Sequence, residues 1–488
     1  MRNLTSPKVA TSVDPRSLVA AGLSDDEAQM VQRMLLRLNA NVKRNTELTK
    51  YYQGDYLAEL LGIAVPPEFK EFRAVAGWPS TVVDSLEERL DIDSFAAVGV
   101  TDVDSLGIDE WWAQNDGAST AGLAIVDSLI YGVSFIALSR GLDGEPDPLL
   151  TVEPATTMSG EWDARTRRLA GALHVEKNAM GAVTAMTVWT RRDVIQIRAR
   201  GETAWDAERR SHGLDHVPVF RLANRPRGNR IWGSSEISKA VRSYTDSAAR
   251  TLLGMEIARE FYSSPQRWIM GASEDAFVGA DGKPRSAWQV YLGRILAIGH
   301  GDPDMPLPQV GQFNAASPAP YVDQVKLLAE LCAAEGALPV TYFGFHTDNP
   351  PGGDGIRAQE TRLVKRAERR QRDLGGMSGF AGLIRSMLLM RDGLAPERII
   401  TQWRDPSTPT KAATADQITK YVAAGVLYPD SDVTRQLMGL EPTVRERLVE
   451  EDRRRRSSSL LETLNSAPER PSVLVNLPDA DDSPDSAT

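Results

Sequence analysis

Cysteine is almost absent. Cys332 is the only one in 488 residues, which excludes an intramolecular disulfide and any cysteine-based zinc cage. Set within LLAELCAAEG, it reads as a small apolar residue on a buried helix face. Histidine is scarce too. His212 and His216 have the i, i+4 spacing of a helical metal pair, but Gly213 and Pro218 break a helix there and no third ligand stands at a fixed spacing, so a surface turn is expected. His174, His300 and His346 are isolated. Long apolar runs free of charge are also lacking. The nearest is AGLAIVDSLIYGVSFIAL (121–138), where a central Asp127 would cost about 2.5–3.5 kcal/mol in a bilayer. Gly132 divides that run into a helix (Ala121–Tyr131) and a strand (Val133–Ser139), so a soluble buried unit is expected and no membrane partner. The N-terminal MRNLTSPKVATSVDPRSL has no apolar core of signal-peptide type, and assembly in a reducing cytoplasm is expected.

Catalytic signatures are missing as well. No GxxxxGK[ST] loop occurs, and Gly282-Lys283 is followed by Pro284, so no backbone cradle for nucleotide phosphates is encoded. GxSxG, GxGxxG and HExxH are absent. The expectation is a protein that is not an enzyme and takes no cofactor or metal. A net charge of −10 excludes a basic, sequence-independent nucleic-acid binder; DNA near this chain would slide rather than be gripped.

What is present is an ordinary globular composition, with 42% hydrophobic and 25% charged residues, long enough for about three domains. Ser24 and Glu27 form a capping box ahead of a helix from Asp25 to about Tyr51, with Ala28, Val31, Leu35, Leu38 and Val42 on one stripe and Gly54 as the stop. A second helix is expected near Thr81, leading into strand-like SFAAVGV. Between Leu149 and Ala223 the period becomes two. LTVEP, LAGALHVEK, AVTAMTVWT, DVIQIRAR and VPVFRLA read as one antiparallel meander, with Trp162, Trp189 and Trp205 as buried anchors. A helix of about thirty residues is expected from Ser234, with Ile237, Val241, Tyr244, Ala248, Leu252, Met255 and Arg259 on one stripe and Pro265 at its end. Ser317-Pro318 opens another (APYVDQVKLLAELCAAEG). Two long helices flanking residues 266–315 make a stalk with a knob. Later helices are expected at 380–392, 408–426 and 442–456, the last ending in Arg453–Arg456 as cations at a helix C-terminus. The fold class expected is α+β, predominantly helical.

Asn349-Pro350-Pro351-Gly352-Gly353-Asp354-Gly355 precedes the arginine-rich IRAQETRLVKRAERRQRDL (356–374). A stiff Pro/Gly loop ahead of a charged helix projects a loop into a space rather than building a pocket. The helix carries Arg357, Arg362, Lys365, Arg366, Arg369, Arg370 and Arg372 against Glu360, Glu368 and Asp373. Two readings stand: a solvated or inter-subunit salt-bridge network, and direct contact with DNA phosphates.

KYYQGDY (50–56), AGWPSTVVDSLEERL, VDSLIYGVSFIAL, VPVFRLANRPRGNRIWGSSEI, SSPQRWIMG, the NPPGGDGIRAQETRLVKRAERRQ segment and STPTKAATADQITKYVAAGVL together resemble, in order and spacing, the portal proteins of tailed bacteriophages, of the siphovirus type common in phages of actinobacteria. The departure is Gly352-Gly353-Asp354-Gly355, where Ser-Ala-Asp-Ala is usual. The resemblance implies a homododecameric ring of wing, stem, clip and crown at the capsid portal vertex of the virion. It serves genome packaging, head-tail joining and viral genome ejection. Double-stranded DNA threads the ring, and the large terminase subunit, a head-tail adaptor and the major capsid and scaffolding proteins are partners. Transferred to this chain, residues 1–233 are wing, 234–262 stem helix 1, 263–316 clip, 317–337 stem helix 2, 338–355 tunnel loop, 356–407 tunnel helix and return to the wing, 408–456 crown and 457–488 a disordered tail. Candidate tunnel-loop residues are Phe343, His346, Thr347, Asp348, Asn349, Pro350, Pro351, Gly352 and Gly353, and Arg357, Arg362, Lys365, Arg366 and Arg369 are candidate tunnel-helix charges. Trp268, Trp288 and Tyr291 are candidate clip anchors, with filling of the knob's own core as the other reading. The competing functions are a virion structural protein without a channel and a metal-dependent phosphoesterase.

Overall fold

The computed structural model describes residues 13–55, 74–100, 103–200, 204–263, 267–270, 309–312, 317–345, 353–407 and 411–465. The chain forms two compact units, Met1–Ser407 and Thr408–Thr488. The first opens with α1 (Pro15–Ala20) and α2 (Asp25–Gln53). Both halves of the capping box are made: Glu27 N–H donates to Ser24 Oγ at 3.3 Å and Ser24 N–H donates to the Glu27 carboxylate at 2.9 Å. Gly54 caps the far end at φ 75°. Helix α3 (Trp78–Glu87) starts three residues before Thr81, because Pro79 supplies a helical φ in its first turn and the Thr81 hydroxyl bonds Gly77 O at 3.1 Å instead of capping. Strand β1 (Ile92–Ala97), α4 (Ile108–Gln114), α5 (Gly117–Tyr131) and β2 (Val133–Ser139) follow, and Gly132 turns the chain between the last two at φ 94°.

The expected single meander is two sheets. After β3 (Leu149–Pro154), the strands β4 (Met158–Asp163), β5 (Arg168–Lys177), β6 (Val183–Trp189), β7 (Asp193–Arg200) and β8 (Ala204–Ser211) form a five-stranded antiparallel meander. β9 (Val219–Ala223) and β3 instead flank β2 in a three-stranded sheet. The reason is burial: Val133 to Leu138 are buried on both faces of β2, so that strand needs a neighbour on each edge. The meander buries one face against α2, where Val31, Leu35 and Leu38 meet Val175, Val188 and Ile197. Met30 lies over Gly171, where a Cβ would overlap its thioether. Trp189 is buried, while Trp162 and Trp205 are half-buried.

Helix α6 (Lys239–Ser263) starts five residues after Ser234, at the point where Ser238 Oγ accepts from Val241 N–H at 3.2 Å. Its buried face drifts from Ile237 and Val241 to Ala248, Ala249 and Leu253, as a 3.6-residue period requires. Strands β10 (Arg267–Met270) and β11 (Gln309–Gln312) pair antiparallel, so the chain leaves and re-enters the 271–308 segment side by side. Helix α7 (Ala319–Gly336) runs antiparallel to α6: Ser238 donates to Glu335 at 3.0 Å at one end, and Gly254 faces the Tyr321 ring at the other. Cys332 is fully buried there. Then come α8 (Gly353–Leu374), which starts before Ile356, α9 (Phe380–Asp392) and β12 (Ile399–Trp403), the partner of β1. Phe380, Leu383, Ile384, Met387 and Leu388 of α9 sit in one core with Leu129, Phe135 and Leu222.

In the second unit, α10 (Lys411–Ala423), α11 (Asp432–Leu437) and α12 (Pro442–Asn465) are helical. Arg453–Arg456 lie inside α12 and not at its C-terminus, because Ser457 and Ser458 donate back to the carbonyls of Arg453 and Arg454 and the helix continues. The first part of the expected disordered tail is thus helix to Asn465, and residues 466–488 lie outside the described residues. His212 and His216 are also corrected: both are buried, His216 Nε2 sitting 2.7 Å from Ser386 Oγ and His212 Nε2 3.2 Å from Thr190 O. His216 thus lies against α9, while His212 packs on the turn that follows β6.

Asp127, in α5, is half-buried, and burial pushes its carboxyl from 3.8 up to about 6. A raised folded-state value means the folded chain holds this proton longer than the unfolded chain, so stability falls as pH rises from about 4 to above 6. Asp127→Asn is expected to flatten that part of the stability-pH curve, measured by urea denaturation at several pH values.

Candidate functional site

The segment after β9 is fixed by its backbone. Asn224 N–H donates to Gly132 O at 2.9 Å, Ser234 N–H to Asn224 O at 2.7 Å, and Glu236 N–H to Leu129 O at 2.9 Å. Gly233, at φ 70°, lies where a Cβ would overlap the carbonyls of Gly132 and Asn224, so this close approach requires glycine. The loop is thereby drawn onto α5, and Glu236 is delivered into the interior with 2% exposure.

A buried carboxylate is tolerated only when fully paired. Glu236 is met by Arg370 at 2.8 Å and by Arg366, with Arg225 at 3.6 Å, while Asn224 Nδ2 donates at 3.1 Å. Burial pushes its carboxyl upward, but Arg366, Arg370 and Arg225 outweigh this and hold it below the usual range. Arg366 and Arg370 are one turn apart on α8, and Arg366 also donates to Gly336 O at the end of α7. The inward face of α8 continues through Glu360, Leu363, Ala367 and Leu374, all buried. Glu360 accepts from Tyr342 Oη at 2.8 Å and from Arg89 at 3.2 Å, and Arg89 also donates to Pro406 O at 2.9 Å. Two buried ion clusters therefore hold α8, one toward each end.

Arg357, Arg362, Lys365 and Arg369 lie on the exposed side of α8, with Lys365 2.8 Å from Glu368. Arg366 does not join them, since it turns inward to Glu236. Nor does Glu360 belong to a solvated network: the apolar stripe of α8 carries it into the core, where its partners are in the same chain. Phe343 packs edge-on against Trp78 with ring centroids 5.8 Å apart, in the short 3-10 turn Val340–Phe343. Gly353 is the first residue of α8, while His346, Thr347, Asp348, Asn349, Pro350, Pro351 and Gly352 lie outside the described residues. Trp268 is half-buried and lies across Gly311 of the neighbouring strand. Trp288 and Tyr291 fall outside the described residues.

Glu236 and Asn224 were not singled out from the sequence. The available signal was the pair Arg366 and Arg370, an i, i+4 couple on the side of the helix that also carries Leu363, Ala367 and Leu374. Two cations on an apolar stripe require a buried anion. Arg221 was missed too: it is 8% exposed, stacks on Trp162 at 3.8 Å, and burial pushes it down to about 10.

Residues 33–454 match the family model of phage portal proteins of the SPP1 Gp6-like type. The chain belongs to that family. It is 34% identical over 422 residues to the portal protein of Mycobacterium phage D29, covering 84% of each chain. To the portal protein of Mycobacterium phage L5 it is 34% identical over 414 residues, covering 82% of this chain and 83% of the relative. Among solved structures, a chain of the virion of a native gene transfer agent particle is similar at TM-score 0.44 and 14% identity, over 82% of this chain and 94% of that one. A chain from the neck of that particle, computed with C12 symmetry, has TM-score 0.41 and 15% identity over 76% and 92%. The family is a structural component of the phage virion, and members are not enzymes. No described helix is long and apolar enough to cross a membrane.

Removing the anion strands the buried Arg370 guanidinium and leaves the half-buried Arg366 without its carboxylate. Glu236→Ala is expected to lower the unfolding free energy by about 3–5 kcal/mol, read from urea denaturation, whereas Glu368→Ala on the exposed pair should change it by less than about 1 kcal/mol. Equal effects of the two would show that Glu236 does not anchor α8.

Proposed function

We propose that this portal protein assembles as a closed, homododecameric ring around double-stranded DNA at one capsid vertex. The observation that carries the reading is the family match over residues 33–454, which spans every element described from α2 to most of α12. In this reading residues 1–233 are wing, α6 and α7 stem, 263–316 clip, 338–355 tunnel loop, 356–407 tunnel helix and return, and 408–456 crown. The large terminase subunit docks during packaging and a head-tail adaptor afterwards, and major capsid and scaffolding proteins surround the ring. Assembly takes place in the host cytoplasm.

Three features support it. Helix α7 carries Leu327 and Leu331, one turn apart and exposed at 55% and 42%, an apolar patch that a second copy would cover. In a cyclic assembly one such surface meets a different surface of its neighbour, and the ring closes. The second feature is mechanical: α8, which follows the loop, is clamped at Glu360 and Glu236, so displacement of the loop by moving DNA would not shift its base. The third is the exposed row Arg357, Arg362, Lys365 and Arg369, enough charge to keep DNA near the wall, while a chain of net charge −10 does not hold it fast.

Leu327→Asp with Leu331→Asp is expected to convert rings into smaller species in sedimentation velocity and to remove holed rings from electron micrographs. Rings unchanged in number would place the interface elsewhere on the surface. Deleting residues between Thr347 and Gly353 should leave rings and procapsid incorporation near normal and reduce the genome packaged, scored as DNA per particle. Full packaging by that variant would refute the tunnel-loop assignment.

A further inference from the structure

A cleft of about 1120 Å³ opens between α2, the 225–235 loop, the start of α6 and the end of α8. Nine arginine and lysine side chains line it against three carboxylates, in a chain whose overall balance is acidic. Several of these cations are not neutralised. Arg44 donates to Tyr131 O at 2.8 Å and Arg230 to Ser234 Oγ at 3.2 Å, partners that satisfy hydrogen bonds and leave the charge intact. Arg227, Lys239 and Arg369 stand exposed on the rim. Arg44 is held below its usual value by burial and by the neighbouring charges of Arg230 and Arg242.

The floor is different in kind. Its open apolar group is the half-buried Trp232, with Val133, Phe135 and Met158 buried beneath, and the Trp232 ring faces the Arg37 guanidinium at 4.8 Å. Ser159 borders the cleft; its residue is 4% exposed, and its Oγ is enclosed with no hydrogen-bond partner among the described residues.

We propose that this cleft is a docking site for an extended acidic peptide segment of a protein partner, its carboxylates on the arginine rim and an apolar side chain against Trp232. The inference does not rest on ring assembly or on the tunnel-loop assignment. Charge complementarity sets the sign of the partner, and the shape decides its class. Duplex DNA keeps its bases stacked inside and offers phosphates on a broad convex surface, so it has nothing to place on an apolar floor. An extended strand alternates its side chains, and can point one set at the rim and the other at the floor.

The probe is a fluorescein-labelled peptide of alternating glutamate and leucine, titrated with the full chain at low salt and read by fluorescence anisotropy. A lysine–leucine peptide of the same length and a labelled DNA duplex are run beside it. The glutamate peptide should bind and the lysine peptide should not. The combined variant Arg227→Glu, Lys239→Glu, Arg369→Glu should weaken binding at least about tenfold, with the melting curve unchanged because these side chains are exposed. The charge-keeping variant Arg227→Lys, Lys239→Arg, Arg369→Lys should bind as the parent does. Unchanged affinity in the charge-reversed variant would overturn the proposal. So would a duplex that binds more tightly than the peptide and loses its affinity with the same three reversals, since the cleft would then be a nucleic-acid face.

Discussion

The first unit depends on one buried carboxylate. Glu236 stands 2% exposed among Arg225, Arg366 and Arg370, with Asn224 donating to the same oxygen that Arg370 meets. Such a cluster contributes little net stability compared with apolar packing of the same volume, because desolvating the ions costs several kcal/mol each. What it supplies is direction. Van der Waals contact between smooth helices allows sliding and rotation, whereas guanidiniums one turn apart can meet a single carboxylate in one rotational setting only. That setting fixes which side of α8 faces outward, and so places Arg357, Arg362, Lys365 and Arg369 away from the core.

The same cluster joins segments far apart in the chain. The backbone of Glu236 is tied to Leu129 in α5, its side chain to α8, and Arg366 reaches on to the C-terminal carbonyls of α7. Gly132 and Gly233 make this possible, since their backbones approach within a distance that no side chain would allow. The late start of α6 has the same origin. Residues 234–238 cannot be helical while Glu236 is directed inward and Ser234 is bonded to Asn224.

What was legible in the sequence follows from the range of the interactions concerned. The capping box of α2, the αL glycine between α5 and β2, and the whole extent of α9 are local decisions, and the residues that make them are neighbours in sequence. The split of the β region was not legible, because β2, β3 and β9 read as strands individually while their pairing depends on β2 being covered on both faces. His212 and His216 were misplaced for a related reason: Gly213 and Pro218 signal a turn, and nothing nearby in sequence announces that α9 meets His216. In α12 the arginine run read as terminal because cations complement a helix C-terminus, yet the serine hydroxyls that follow bond back to a carbonyl four residues earlier and leave the helix unbroken. Of the candidate site, Phe343 and the outer α8 charges could be located, while Glu236, the residue that orients that helix, carried no motif.

Net charge misled in a further respect. A balance of −10 is a sum over the whole chain and carries no information about distribution, and here the positive side chains are concentrated where three separated segments converge. Arg37 and Arg44 belong to α2, Arg227 and Arg230 to the loop after β9, and Arg369 and Arg370 to the end of α8. Each pair alone is unremarkable. Their convergence follows from the Glu236 cluster, since the bonds that seat the loop and α8 on the core also bring the cations on their flanks together around α2. One buried anion satisfies Arg366, Arg370 and Arg225, and Glu47 meets Arg242, while Arg44 and Arg230 are left with carbonyl and hydroxyl partners that cannot cancel their charge. The structural anchor and the cationic cleft are thus two consequences of the same arrangement.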